Sequence, residues 1–338
     1  MMGSAMTIPL RDNQHEVRLV GTPLDRDIID HVQETGVHPK MQRQLPAGVQ
    51  PIQVDDLEEA LDGADLLISG VSSFGVDWFS ETVLPLIPDG RLPVLAVTKG
   101  LAEGPEGAIT PFPYLWRERL KGEKHVSFNA IGGPCTSYEL ADRRHSCVAF
   151  CGDEPAVLER LREMLETPYY HISVSTDVCG VEAAVGLKNA YALGVTLAVG
   201  MIEREEGVGC TPAYNPQAGL FGQSMREMGR LVPMFGGRPE SVAYGVSDLY
   251  VTVFGGRTRR LGTLLGRGLA FAEAMGELED VTLESVAIAT AVANTLRKRE
   301  ATGEIRLADF PLLEHIDGIL NQGMVMNIPW ERFERREL

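Results

Sequence analysis

The placing of short apolar runs constrains this chain more than any other feature. They occur at EVRLV (16–20), ADLLISGVS (64–72), LPVLAVT (92–98), VSFNAIGG (126–133), CVAFCG (147–152) and YYHISVS (169–175), and no convincing run follows Ser175. Several are continuous rather than alternating, the pattern of parallel strands buried on both faces. Between them the spacing turns helical. DEPAVLERLREMLE predicts a helix capped by Asp153, with Pro155 in its first turn and Val157, Leu158, Leu161, Met164 and Leu165 on one face. DDLEEALDGADLLISG repeats the plan, with an acidic start, Gly63 as the stop and then a strand.

Alternation of this kind predicts an α/β fold, a doubly wound sheet of the Rossmann type. From about Asp177 the texture changes to long helical patterns such as VEAAVGLKNAYALGVTLAVGMIER and AGLFGQSMREMGRLVPMF, interrupted by the loop GVGCTPAYNP (207–216). The reading is an α/β domain over 1–178 and an all-helical domain over 179–338, and 338 residues suit two cores better than one.

Charge narrows the partners. With 31 basic against 47 acidic residues, the net charge of -16 repels nucleic acid and anionic membrane at long range. It leaves room for a small anion gripped by a local cluster of cations and helix N-termini. No apolar run reads as a membrane span or a signal peptide, so no membrane insertion is expected and a cytoplasmic location is. The five cysteines form no C-x-x-C pair and read as reduced thiols; no metal site is expected.

Two lysines stand in apolar settings. Lys99 follows the strand LPVLAVT, at the carboxyl end of the sheet where open α/β sheets bind ligands. Lys188 lies inside GLKNAYALGV next to Asn189. A lysine in a helix usually lays its stem along the surface, but desolvation lowers a lysine pKa toward the range useful for proton transfer. In GVSDLYVTVFGGRTRRLG (245–262), Asp248 falls in an apolar stretch, and Gly255-Gly256-Arg257 makes a turn loaded with cations before a new helix. A glycine-backed arginine beside a helix N-terminus suits phosphate. IGGPCTSYELA (131–141) is a second strand, double glycine and helix start.

Taken in order, LEEALDGADLLISGVSS, VTKGL, GGPCTSYELA, GLKNAYALGV and SDLYVTVFGGRTRRLG resemble the NAD(P)-dependent glycerol-3-phosphate dehydrogenases over essentially the whole chain. The resemblance implies a Rossmann domain followed by a helical domain like that of 6-phosphogluconate dehydrogenase. It also implies interconversion of sn-glycerol 3-phosphate and dihydroxyacetone phosphate with NAD or NADP as cofactor. Lys188 is then the proton donor and acceptor, with Asp248 and Lys99 as its catalytic companions. Lys99, Gly133, Asn189, Asp248, Thr252, Gly256, Arg257 and Thr258 are implied to bind the small phosphorylated substrate. Met2, Gly3, Thr22, Ser72, Lys99, Ser137, Arg257 and Glu284 are implied to bind the cofactor. A homodimer is one open assembly state. Two alternatives stay open: a related two-domain dehydrogenase for another small hydroxy acid or hydroxy phosphate, and a non-catalytic relative.

The departures from the family pattern are local. Thr258 replaces an asparagine, Ser247 and Ser285 replace glycines, and Cys135, Thr136 and Ser137 reshape the GGPCTS turn. The largest is at the start. MMGSAMTIPLRDN reads as a short helix over Gly3 to Asn13 leading into Glu16–Val20, the second half of a βαβ unit. Gly3 takes the place of the last glycine of G-x-G-x-x-G, and the first strand and two leading glycines of that fingerprint are missing. The expectation is a start codon placed too late. Where NAD binders often place an acidic residue for the ribose hydroxyls this chain has Gly21-Thr22, with Asp25 and Arg26 a little later; Thr22 and Arg26 suit a 2′-phosphate, so either nucleotide stays open.

Overall fold

The computed structural model describes residues 1–90, 92–103, 108–278 and 283–333. The chain divides into two compact units, Met1–Lys99 with Phe112–Val178, and Gly100–Pro111 with Cys179–Leu338. The strands are β1 (Val17–Val20), β2 (Val37–His38), β3 (Arg43–Gln44), β4 (Val49–Ile52), β5 (Leu67–Ser69), β6 (Val94–Ala96), β7 (Leu101–Glu103), β8 (Ile109–Pro111), β9 (Phe128–Gly132), β10 (Ser146–Gly152) and β11 (Tyr170–Ser175). Helices of the first unit are α1 (Met2–Ala5), α2 (Thr7–Asp12), α3 (Arg26–Thr35), α4 (Leu57–Leu61), α5 (Val76–Trp78), α6 (Phe112–Arg119), α7 (Ser137–Ala141) and α8 (Pro155–Leu165).

In the first unit, five strands form one sheet in the order β11-β10-β9-β6-β5, while among the described residues β1 and β4 form a separate pair. β5, β6 and β9 run parallel, as do β10 and β11, but β10 is antiparallel to β9. The all-parallel reading is therefore corrected at that junction. The β9–β10 segment is spanned by the short α7, which returns the chain without a full crossover. Burial is complete through β6 and β9, as continuous apolar runs require. On one face Leu95, Ile131, Val148 and Phe150 pack with Ile8 of α2 and with Leu158, Leu161 and Leu165 of α8. Another cluster gathers on Trp116, whose ring lies 4.7 Å from Phe79 and 6.0 Å from Phe128.

Asp153 does not cap α8. The N-cap is Glu154, without a side-chain bond, because the Asp153 carboxylate is taken by the Tyr114 hydroxyl at 2.8 Å and Arg117 at 2.6 Å. Pro155 does occupy the first helical position, where its missing N–H costs nothing.

The second unit is built on α9 (Val178–Glu206), with α10 (Tyr214–Met234), α11 (Val242–Thr252), α12 (Gly256–Gly266), α13 (Phe271–Gly276), α14 (Glu284–Ala301) and α15 (Pro311–Asn321). The hairpin β7–β8 joins it, with Leu101 in the helical core and Glu103 bridged to Lys298 of α14 at 2.7 Å. α9 is long and apolar enough to cross a membrane, yet 83% of its most apolar window is buried inside the protein, as in a core helix. Small residues let α12 press onto it. A Cβ on Gly262 would fall 2.0 Å from Thr196 Oγ1, and one on Gly266 2.1 Å from the Leu197 carbonyl.

Candidate active site

In the first unit, the sequence-predicted cofactor residues gather at the carboxyl ends of the strands. Lys99 stands three residues past β6, half-buried, and its Nζ donates to the Gly133 carbonyl at 2.7 Å. Gly133 has φ +106, and a Cβ there would meet the Cys147 carbonyl at 3.2 Å. Only glycine serves at such a turn. Thr98 is tied to the Val71 carbonyl at 2.6 Å, which fixes the strand end on which Lys99 stands. Ser72 is exposed just beyond β5, and Ser137 is buried at the first position of α7.

Gly3 and Gly70 touch backbone to backbone, a Cβ on either lying within 3.0 Å of the other's Cα. The start of α1 therefore sits against the end of β5 with no side chain between, and Met2 and Gly3 stay half-buried. Past β1, the Asp25 carboxylate accepts from Thr22 Oγ1 at 2.6 Å and from the Thr22 amide at 3.2 Å. Arg26 is held bidentately by Asp55 at 2.6 and 2.9 Å, on an exposed surface. The set fits a dinucleotide: a bare backbone approach for pyrophosphate, and a carboxylate past β1 for ribose hydroxyls.

In the second unit the chemistry centres on one buried pair. Lys188 is 9% exposed and Asp248 2%. Lys188 Nζ lies 3.1 Å from Asp248 Oδ1 and donates to Thr252 Oγ1 at 2.9 Å. Thr252 in turn donates to the Asp248 backbone carbonyl at 2.8 Å, which turns its lone pairs toward the ammonium. Lys188 is thus not a surface lysine. Its charge is matched by a carboxylate one helix away, as a buried ammonium demands. Asn189 is buried beside it on α9. Four residues past Thr252, α12 begins at Gly256 (φ +80), so Arg257 and Thr258 lie in its first turn rather than before it. Arg257 is exposed there. Glu284 opens α14, half-buried.

Sequence reading missed the residue that brings the pair together. Gly245 lies one turn before Asp248 on α11, and a Cβ there would fall 2.3 Å from the Ala184 carbonyl, one turn before Lys188 on α9. The two helices meet backbone to backbone, which places Asp248 within reach of the ammonium. A glycine three residues before an aspartate in an apolar helix was the available signal. Asp55, which claims Arg26, was also missed. It lies 29 residues away in sequence, and nothing local marks the partnership.

The α/β unit thus carries ligand groups at its strand ends, and the helical unit a buried lysine–aspartate pair. The pattern for the NAD-dependent glycerol-3-phosphate dehydrogenase N-terminus matches residues 1–156, and that for its C-terminus residues 177–329. The chain belongs to the NAD-dependent glycerol-3-phosphate dehydrogenase family. It is 31% identical over 326 residues to the NADP(+)-dependent glycerol-3-phosphate dehydrogenase of Archaeoglobus fulgidus, covering 96% of this chain and 93% of that one. It is 26% identical to the glycerol-3-phosphate dehydrogenase [NAD(P)+] of Myxococcus xanthus, over 82% of this chain and 80% of the relative. The crystal structure of glycerol-3-phosphate dehydrogenase from Coxiella burnetii shares the fold, with a TM-score of 0.78 at 24% identity over 96% of this chain and 93% of that one.

Proposed function

We propose that the chain interconverts sn-glycerol 3-phosphate and dihydroxyacetone phosphate with NAD(H) or NADP(H), and that Lys188 handles the proton. The observation that carries this is the buried Lys188 ammonium, held by Asp248 at 3.1 Å and Thr252 at 2.9 Å, in a chain of this family. When bound, the nucleotide supplies the hydride acceptor and donor. The first unit would hold it with Met2, Gly3, Thr22, Ser72 and Ser137.

In reduction, negative charge builds on the substrate carbonyl oxygen. Lys188 Nζ stabilises that charge and donates a proton to it; in oxidation the same nitrogen takes the hydroxyl proton back. Asp248 and Thr252 fix where the ammonium points, and Asn189 adds a hydrogen-bonding group next to it. Arg257 and Thr258, in the first turn of α12, offer a guanidinium, a hydroxyl and a helix N-terminus to the substrate phosphate. Lys99 adds a cation in the first unit. Binding energy from the phosphate can then be used to align the reacting carbon.

The test is an assay of dihydroxyacetone phosphate with NADH and with NADPH, beside other hydroxy acids and hydroxy phosphates. Saturable nucleotide binding without turnover of dihydroxyacetone phosphate refutes the substrate. Absence of saturable nucleotide binding favours the non-catalytic alternative. The reading includes a cytoplasmic location, in keeping with five reduced cysteines, and a homodimer, which sedimentation velocity tests.

A further inference from the structure

The run GGRTRRLG (255–262) carries three arginines, and the structure sends them to different tasks. Arg257 is exposed in the first turn of α12. Arg260 Nη2 donates to the Glu277 carbonyl at 3.2 Å. Arg259 is half-buried and reaches backwards, its Nη1 donating to the Val253 carbonyl at 2.7 Å across the turn that joins α11 to α12.

That turn has little stiffness of its own. Thr252 ends α11 and Gly256 begins α12, so only Val253, Phe254 and Gly255 lie between them. Gly255 is extended and Gly256 has φ +80, and two glycines in succession leave the backbone free to bend. A Cβ added to either would meet nothing within 4 Å, so packing does not hold them. Two ties do. The Phe254 ring lies edge-on to Tyr250 of α11 with centroids 5.0 Å apart, although both side chains are exposed. The stronger tie is the Arg259 guanidinium. It takes one of the carbonyls that a helix end leaves without an intrahelical partner, at the negative end of the α11 dipole.

On one side of the turn stands Thr252, whose Oγ1 accepts from the Lys188 ammonium at 2.9 Å. On the other stand Arg257 and Thr258, at the helix end assigned above to the substrate phosphate. The shape of residues 253–256 therefore sets the span from proton site to phosphate site. In dihydroxyacetone phosphate a methylene and an ester oxygen link the carbonyl carbon to phosphorus. A substrate must match the span to bring its carbonyl to Lys188 Nζ while its phosphate stays on α12.

We propose that Arg259 is a positioning residue. By clamping the turn at the Val253 carbonyl it fixes the distance between the proton-handling lysine and the phosphate-binding helix end, and so selects phosphorylated substrates by chain length. This rests on the roles of Lys188 and α12 in the proposed function. Arg259 is engaged with the backbone and acts through Arg257 and Thr258.

The experiment compares the native chain with Arg259→Met, which keeps the stem and loses the donors, and with Arg259→Lys, which restores a cationic donor. Kinetics are measured with dihydroxyacetone phosphate and with its homologue carrying one more methylene between carbonyl and phosphate, and inorganic phosphate is titrated as an inhibitor. In Arg259→Met, kcat with dihydroxyacetone phosphate should fall ~10–100-fold with KM changed less than ~3-fold, the scale of a misplaced reacting centre. The preference over the homologue should narrow by about tenfold. The inhibition constant for inorganic phosphate, which occupies the helix end alone, should stay within about twofold. Arg259→Lys should recover most of kcat and of the preference. Two results overturn the proposal: a phosphate inhibition constant that rises as steeply as kcat/KM falls, which makes Arg259 a phosphate ligand, or an unchanged preference between the two substrates. If Arg259→Met does not fold, Phe254→Ala removes the weaker tie from an exposed position and should narrow the same preference by a smaller factor; an unchanged preference there overturns the proposal equally. A native chain that binds nucleotide and leaves dihydroxyacetone phosphate unreduced refutes the proposed substrate instead. The same comparison, run on the phosphorylated substrate it does use and that compound's homologue, then decides the role of Arg259.

Discussion

The two units hold their functional groups by opposite means. In the second, Lys188 and Asp248 sit on helices pressed together at Gly245 and Ala184, inside a core of almost fully buried side chains. In the first, the groups stand on the ends of strands belonging to two separate sheets, with a cavity between β1 and β5. Helices satisfy their own backbones, so a helical site needs only side-chain packing to be rigid. A sheet site inherits whatever the sheet lacks, because each strand depends on its neighbours for hydrogen bonds.

The largest way to break this comparison is at the buried ammonium. Lys188→Met should lower kcat by ~10²–10⁴-fold, the range of general acid–base catalysis, while the dissociation constant for NADH or NADPH changes little. Loss of nucleotide binding in that variant would show that the two units do not keep their tasks apart. Next comes the helix contact. Gly245→Val forces α11 away from the Ala184 carbonyl and should cost about 1–3 kcal/mol by overpacking. It should also lower kcat more than it raises KM, since it displaces Asp248 without touching the phosphate-binding turn. Urea unfolding and steady-state kinetics check both parts.

A third measurement tests how the helical unit carries buried charge elsewhere. Glu227 is fully buried and accepts from Tyr191 at 2.9 Å, Gln223 at 2.9 Å and the amides of Leu312 and Leu313 at 2.8 and 3.0 Å, which caps α15. Burial raises its pKa above the ordinary carboxyl range, against the pull of these hydrogen bonds. The folded chain then holds a proton that the unfolded chain releases. The resulting stability is full below the ordinary carboxyl pKa and is lost as pH rises through the raised folded value. Relative to Glu227→Gln, the native chain should lose stability between acid and neutral pH. Thermal midpoints of the two proteins, taken as a difference, should fall as pH rises above the ordinary carboxyl range and then level off; a flat difference refutes the assignment.

The smallest effect is expected in the first unit. Asp55→Asn releases Arg26 from an exposed, solvent-screened pair, so the effect is small. The ratio of NADPH to NADH affinity should rise by no more than about fivefold, as read by fluorescence titration of both nucleotides. A falling ratio would mean that Arg26 does not serve a 2′-phosphate.

Much of this architecture was legible in the sequence, and the physical reason differs by region. Continuous apolar runs report strands covered on both faces, so β6, β9 and β10 stood out; β5 and β11 were legible as apolar runs too, although β11 alternates between buried and exposed residues. β4, Val49–Ile52, did not, because it is half-exposed and contains Pro51. The antiparallel turn at β10 was hidden, since strand direction leaves no mark on periodicity. Lys188 and Asp248 were conspicuous as charges in apolar helices, where a charge must find a partner. Gly245 and Asp55 were silent, because their effects lie in a helix crossing and in a distant ion pair.

The hairpin Leu101–Glu103 and Ile109–Pro111 belongs to the helical unit yet is encoded in the middle of the α/β unit. During synthesis it leaves the ribosome well before α14, the helix that Glu103 bridges through Lys298. At typical elongation rates the delay is roughly ten to forty seconds. Glu103 must spend that interval without its ion-pair partner. The order of translation therefore makes this hairpin, the first piece of the second unit to be made, wait for a partner encoded near the far end of the chain.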